Sequence, residues 1–128
     1  MRWNDDTIRT QVEAIGRSLR LTHHARQRMQ QRGISWAMIE AAVAFGLPDA
    51  RNGSVRYTMT RGACATAQRF LPPAAMERLA NVRVVVSYTG AVITVYRVNR
   101  GRAWRANTRQ QRPRRRRRGA SRRTANAA

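Results

Sequence analysis

The sequence predicts a small α+β domain, with N-terminal helices packed on one face of an antiparallel sheet and a disordered basic tail behind it. Three observations predict this. Apolar residues recur at helical spacing from Ile8 to Leu19, two β-branched runs at 82–88 and 91–98 meet at Thr89-Gly90, and apolar periodicity ceases at Arg100. The domain is therefore placed at 1–99 and the tail at 100–128. About 100 residues suffice for one small core, and a tail without apolar periodicity, with Trp104 its last large apolar residue, adds nothing to it.

Asn4, Asp5 and Asp6 are good helix starters, and Ile8, Val12, Ile15 and Leu19 line one stripe, so a first helix spans about 6–19. Thr22 caps a second helix over His23–Arg32 that stops at Gly33, a residue suited to the left-handed position after a helix end. Ser35 caps a third, about 36–45, closed by Gly46 and Pro48. Ile34 and Ile39 flank that cap at the spacing of a hydrophobic staple. Turn signals occupy Pro48, Asp49, Asn52 and Gly53. Residues 54–60 then alternate Val55, Tyr57 and Met59 against Arg56 and Thr58, as a half-buried strand does. A short helix is expected at about 63–70, ended by Pro72-Pro73, and another at 74–80.

A tight turn at Thr89-Gly90 would pair Tyr88 with Ala91, Val86 with Ile93 and Val84 with Val95. The core face is then Val82, Val84, Val86, Ile93 and Val95. The more open face carries Arg83, Val85, Ser87, Val92, Thr94, Tyr96 and Val98, joined by Arg56 and Thr58.

Charge narrows the function classes. All 26 basic residues are Arg, against six acids, for a formal charge of +20 on 128 residues. Residues 1–96 hold 13 Arg and every acid, or +7, whereas residues 97–128 hold 13 Arg and no acid, or +13. Guanidinium grips phosphate bidentately and stacks on bases, so RNA or DNA is the expected partner. An acidic protein or an anionic membrane surface satisfies the same electrostatics; GC-rich codon usage also removes Lys, but it does not explain the clustering in the tail, where Arg112, Arg114, Arg115, Arg116, Arg117, Arg118, Arg122 and Arg123 gather. Cys64 stands alone, which excludes an internal disulfide and any Cys-based metal cluster. With no apolar run of the ~18 residues that a membrane span needs, the expectation is a cytoplasmic protein that holds no membrane, metal or cofactor.

The candidate chemistry lies on the second helix. His24, Arg28 and Arg32 recur four apart and share one helix face. The arginines can hold phosphate while His24, kept neutral by its cationic neighbours, moves a proton. Tyr96 falls on the open sheet face beside Arg83, where its ring can stack a base. Arg26, Arg56, Arg83 and Arg97 add phosphate contacts.

Two strings of residues carry a resemblance. His24-Ala25-Arg26-x-Arg28-Met29-x-x-Arg32-Gly33-Ile34, and near the end Gly90-x-Val92-Ile93-Thr94-Val95-Tyr96-Arg97, resemble a family of small bacterial domains of unknown function grouped with the RelE-like and BrnT-like toxins. The resemblance covers about residues 20–98. It implies a RelE/BrnT-like fold and toxin-type endoribonuclease activity, metal-independent and at the ribosome in many relatives, with an acidic antitoxin as partner. It carries a catalytic role to His24, Arg28, Arg32 and Tyr96, with Arg97 among the motif positions. The alternative is a non-catalytic RNA- or DNA-binding accessory protein of the same fold, from a phage or mobile element.

Overall fold

Asp5 starts the first helix as expected: its Oδ1 accepts hydrogen bonds from the backbone N–H of Thr7 at 2.9 Å and of Ile8 at 3.0 Å. In the computed structural model, which describes residues 1–98, this helix is α1 (Asp6–Arg17). A two-residue strand, β1 (Arg20–Leu21), follows. Thr22 caps α2 (His23–Arg32), its Oγ1 accepting from Ala25 N–H at 3.1 Å, and Gly33 ends the helix at φ 62°, in the left-handed region. Ser35 Oγ accepts from Met38 N–H at 3.2 Å to start α3 (Trp36–Phe45), and Ile34 and Ile39 on either side of that cap are both buried in the core.

The chain then forms a hairpin, β2 (Leu47–Arg51) and β3 (Ser54–Thr58). Asn52 and Gly53 turn it with φ of 45° and 83°, the paired left-handed conformations that a two-residue hairpin needs. Two short helices follow, α4 (Arg61–Ala67) and α5 (Pro73–Leu79), before the second hairpin of β4 (Val82–Ser87) and β5 (Ala91–Arg97). The sheet order is β1-β5-β4-β3-β2, antiparallel throughout except for β1 beside β5. The fold is thus α+β, with its helices gathered on one face of a mostly antiparallel sheet. Val82, Val84, Val86, Val92 and Val95 from the sheet close one core with Ala25, Met38, Ile39, Ala42, Leu71 and Leu79.

Several expectations change. Residues 47–51 read as turn because of Pro48 and Asp49, yet they form an edge strand, where a residue without an N–H donor is tolerated. The strand β1 carries no periodicity because it is only two residues long. The helix expected at 63–70 spans Arg61–Ala67 instead, started by Thr60, whose Oγ1 accepts from Ala63 N–H at 3.2 Å. The largest correction concerns the β4–β5 register. Val84 pairs with Val95 and Val85 with Thr94 as expected, but a bulge then pairs Val86 with Val92. Val92 is therefore fully buried and Ile93 is 39% exposed, the reverse of their expected faces. The tail expected at 100–128 lies outside the described residues.

The outer edge of β5 beyond β1 is closed by side chains of α2 and its cap. Thr22 Oγ1 donates to the Val92 carbonyl at 2.7 Å, and an Arg32 guanidinium N–H donates to the Val95 carbonyl at 3.0 Å. At the far end Arg97 donates to the carbonyls of Arg32 and, at 3.2 Å, Arg78, so one guanidinium satisfies the last turns of both α2 and α5.

Helix α1 packs on α3 where Gly16 leaves room; a Cβ there would collide with the Glu40 carboxylate. Burial pushes the Glu40 pKa above its ordinary 4.5, the nearby Glu13 charge adds to this, and the Trp36 hydrogen bond and Arg17 charge oppose it. A carboxyl whose pKa is raised by folding favours the fold when protonated, so this contribution grows as pH falls and is lost as pH rises through the raised value. Glu40→Gln is accordingly expected to melt at a higher temperature than the parent at pH 7, the gap closing as the pH of the melting series approaches 4.5. A gap that is absent at pH 7, or that widens towards acid, would contradict this reading.

Candidate nucleic-acid interface

Register fixes what the helix-free face of the sheet presents. One cross-strand row is Asp49, Arg56, Val85 and Thr94; the next is Thr58, Arg83 and Tyr96. Within the second row Arg83 lies across its neighbours: Nε donates to Thr58 Oγ1 at 2.8 Å, a terminal N–H donates to Tyr96 Oη at 3.3 Å, and the guanidinium carbon stands 5.7 Å from the Tyr96 ring centroid. Thr58 and Tyr96 thus hold the cation flat on the sheet.

In the adjoining row, Arg56 donates to Asp49 Oδ2 at 2.9 Å, and Arg51 reaches the same oxygen at 3.3 Å. Burial pushes the Asp49 carboxyl up, but the Arg56 hydrogen bond and the charges of Arg51 and Arg56 outweigh it and hold the pKa below the usual carboxylate range. Arg56 Nε is buried with no hydrogen-bond partner, a donor left over on a face that already holds a second guanidinium. A face with two guanidinium groups and an aromatic ring has the chemistry to take an oxyanion and a planar base.

The outer surface of α2 is a second basic patch, and it contains no acid. Arg28 Nε donates to His24 Nε2 at 3.3 Å, while a terminal N–H of Arg28 donates to Gln31 Oε1 at 2.8 Å. His24 and Arg26 are exposed, and Arg28 is half-buried.

The candidate residues therefore fall into two groups. His24 and Arg28 meet on α2, whereas Tyr96 joins Arg83 on the open sheet face, with Arg56 in the next row. Arg32 and Arg97 are engaged by backbone carbonyls at the α2 terminus and the β5 edge, a role that helical spacing alone does not reveal. Thr58 and Asp49 were absent from the sequence-derived site. Alternation had already set Thr58 beside Arg56, so its face was legible; Asp49 was hidden by the turn reading of its strand. Arg112, Arg114, Arg115, Arg116, Arg117, Arg118, Arg122 and Arg123 lie outside the described residues.

Among the described residues no group of three or more His, Cys, Asp or Glu is placed to hold a metal ion, and no helix is long and apolar enough to cross a membrane. Burial raises the Cys64 pKa, which keeps this thiol protonated and poorly nucleophilic. Comparison with family models, with curated proteins and with solved structures returned no match.

Proposed function

We propose that this protein binds RNA, holding phosphate and unstacked bases on the open sheet face while the arginine-rich segment after β5 supplies the long-range attraction. The observation that carries this reading is continuity: the strand that sets Tyr96 against Arg83 runs directly into residues 98–128, with their 12 arginines and no acid. Aromatic stacking and guanidinium–phosphate pairing suit single strands, whose bases are free to leave their own stack.

A second reading is favoured by one contact. The His24–Arg28 pair sets an imidazole beside a cation able to hold phosphate, which fits toxin-type endoribonuclease chemistry of the RelE/BrnT kind with an antitoxin as partner. Against it, Arg32 is engaged by the Val95 carbonyl and Tyr96 belongs to the other group, so the four candidate catalytic residues do not converge.

One set of variants tests both. Tyr96→Ala is expected to weaken binding of a single-stranded RNA by about 1–3 kcal/mol, the usual worth of one stacked base, and Arg83→Ala to lower the slope of log affinity against log salt by about 0.7, the share of one phosphate on a single strand. Fluorescence anisotropy across a salt series measures both, and unchanged slope and affinity in the two variants would remove the sheet face from the interface. The same RNA, incubated with and without ribosomes, reads out cleavage. Scission that is lost in Arg28→Ala would promote the enzyme reading; intact RNA and undisturbed growth on induction leave binding as the function.

A further inference from the structure

Among the described residues the strands hold five arginines and a single acid, Asp49 of β2. The other acids lie on α1 and its cap, on α3 and on α5. Pairing sets Asp49 directly across from Arg56, on the side of β3 away from β4. Arg56 and Arg83 are diagonal neighbours on β3 and β4, a spacing of roughly 7–8 Å. The hydrogen bond of 2.9 Å to Asp49 Oδ2 nevertheless draws the Arg56 guanidinium towards the β2 edge, away from the strands that carry Arg83 and Tyr96.

This pair is suited to exchange. A carboxylate and a phosphodiester present a guanidinium with the same acceptor, two oxygens on a negative group. The Asp49 and Arg56 side chains are 41% and 28% exposed, and an ion pair that water reaches is weak. Arg51 Nε stands 3.3 Å from the same Oδ2, so the carboxylate stays compensated when Arg56 leaves it. Arg56 Nε is buried without a hydrogen-bond partner where it now sits, and a move outwards forfeits no bond at that nitrogen. One hydrogen bond is given up, and a phosphate can accept two from the released fork.

We propose that Asp49 is a built-in stand-in for phosphate: in the free protein it occupies Arg56, and on binding it yields Arg56 to a phosphate of the strand that Arg83 and Tyr96 hold, while keeping Arg51. The inference rests on RNA binding at the open sheet face and adds to it the residue that sets how readily the face closes on a strand. An isolated anion exchanges like for like with the carboxylate and gains little by displacing it. A strand already anchored by Arg83, Tyr96 and the arginines after β5 brings its phosphate to Arg56 at high effective concentration and wins the exchange. Asp49 thereby lowers the affinity of the face for any anion and leaves the advantage to a polyanion held at several points.

Fluorescence anisotropy of the full chain with a single-stranded RNA at fixed salt tests it. Asp49→Asn and Asp49→Ala are each expected to bind about two- to fivefold more tightly than the parent, the worth of an exposed ion pair read as an affinity ratio. Glu77→Gln removes the same charge from the exposed side of α5, in the helical layer, and is expected to gain less than half as much. In an Arg56→Ala background the Asp49→Asn change is expected to add no more than Glu77→Gln does, because the cation that Asp49 occupies is gone. Matched melting curves confirm that each variant folds. Weaker binding by both Asp49 variants overturns the inference, since Asp49 then positions Arg56 for the strand; so does a gain no larger than that of Glu77→Gln, or a gain that survives in Arg56→Ala. Tyr96→Ala and Arg83→Ala separate the two levels. If they weaken binding while the Asp49 variants gain nothing, the inference alone fails; if they too leave binding unchanged, the RNA reading of this face fails and takes the inference with it.

Discussion

Val84→Asp is expected to leave no folded domain at 25 °C. Val84 is fully buried between Tyr57 and Val95 on the neighbouring strands and belongs to the core that the sheet closes with α2, α3, α4 and α5. A carboxylate at that position has no cation within the valine-rich layer to pair with, and a domain of this size has only about 5–15 kcal/mol of stability to lose. Ile93→Asp, nine residues on, is expected to fold with a melting temperature within a few degrees of the parent, because the bulge turns Ile93 out to solvent. Circular dichroism melts of the two variants check the pair. Comparable loss in both would mean that the strand runs without the bulge, with Ile93 inside.

That pair also marks where the sequence stopped being legible. Alternation in 82–98 correctly separates Val82, Val84 and Val95 from Arg83, Thr94 and Tyr96, because those residues lie on the regular part of the ladder. Alternation assumes one residue for one across the pair. A bulge breaks that assumption while leaving the composition untouched, since Val92 and Ile93 are equally suited to either face. Caps were read more reliably, because Asp5, Thr22, Ser35 and Gly33 act through short-range geometry that neighbouring residues determine. The site was legible in half. Arg83, Tyr96 and Arg56 share the expected face, but whether an arginine on α2 points to a ligand or to a carbonyl depends on what lies across from it. Arg32 and Arg97 find the β5 edge and the helix ends, 63 and 65 residues away in sequence.

Removing Gly101–Ala128 is expected to lower RNA affinity by two orders of magnitude or more near 0.1 M salt while leaving the melting temperature unchanged. The deleted segment carries 11 arginines, and each phosphate neutralised on a single strand contributes about 0.7 to the salt slope, so even half of them engaged makes the slope steep. The shortened chain keeps Arg97, and with it the bonds from its guanidinium to the ends of α2 and α5, so the fold has no reason to loosen. Anisotropy titrations at several salt concentrations, alongside melts of both chains, check the two halves separately. Equal affinity of the long and short chains at moderate salt would place the attraction within residues 1–98.

The engaged β5 edge would acquire a different importance in the proposed complex with RNA. Free molecules at +20 repel one another, and that repulsion alone keeps exposed strands apart. A polyanion cancels the charge and crowds many copies along one strand, which is the condition in which bare ladder edges recruit each other into fibres. Here β5 offers carbonyls already taken by Thr22 and Arg32, and β2 offers Pro48, which has no N–H to give, beside the ion-paired Asp49 and Arg51. If the chain binds RNA as proposed, its dense assemblies with RNA are thereby expected to stay reversible on adding salt, because the β5 edge is engaged and the β2 edge lacks a donor at Pro48.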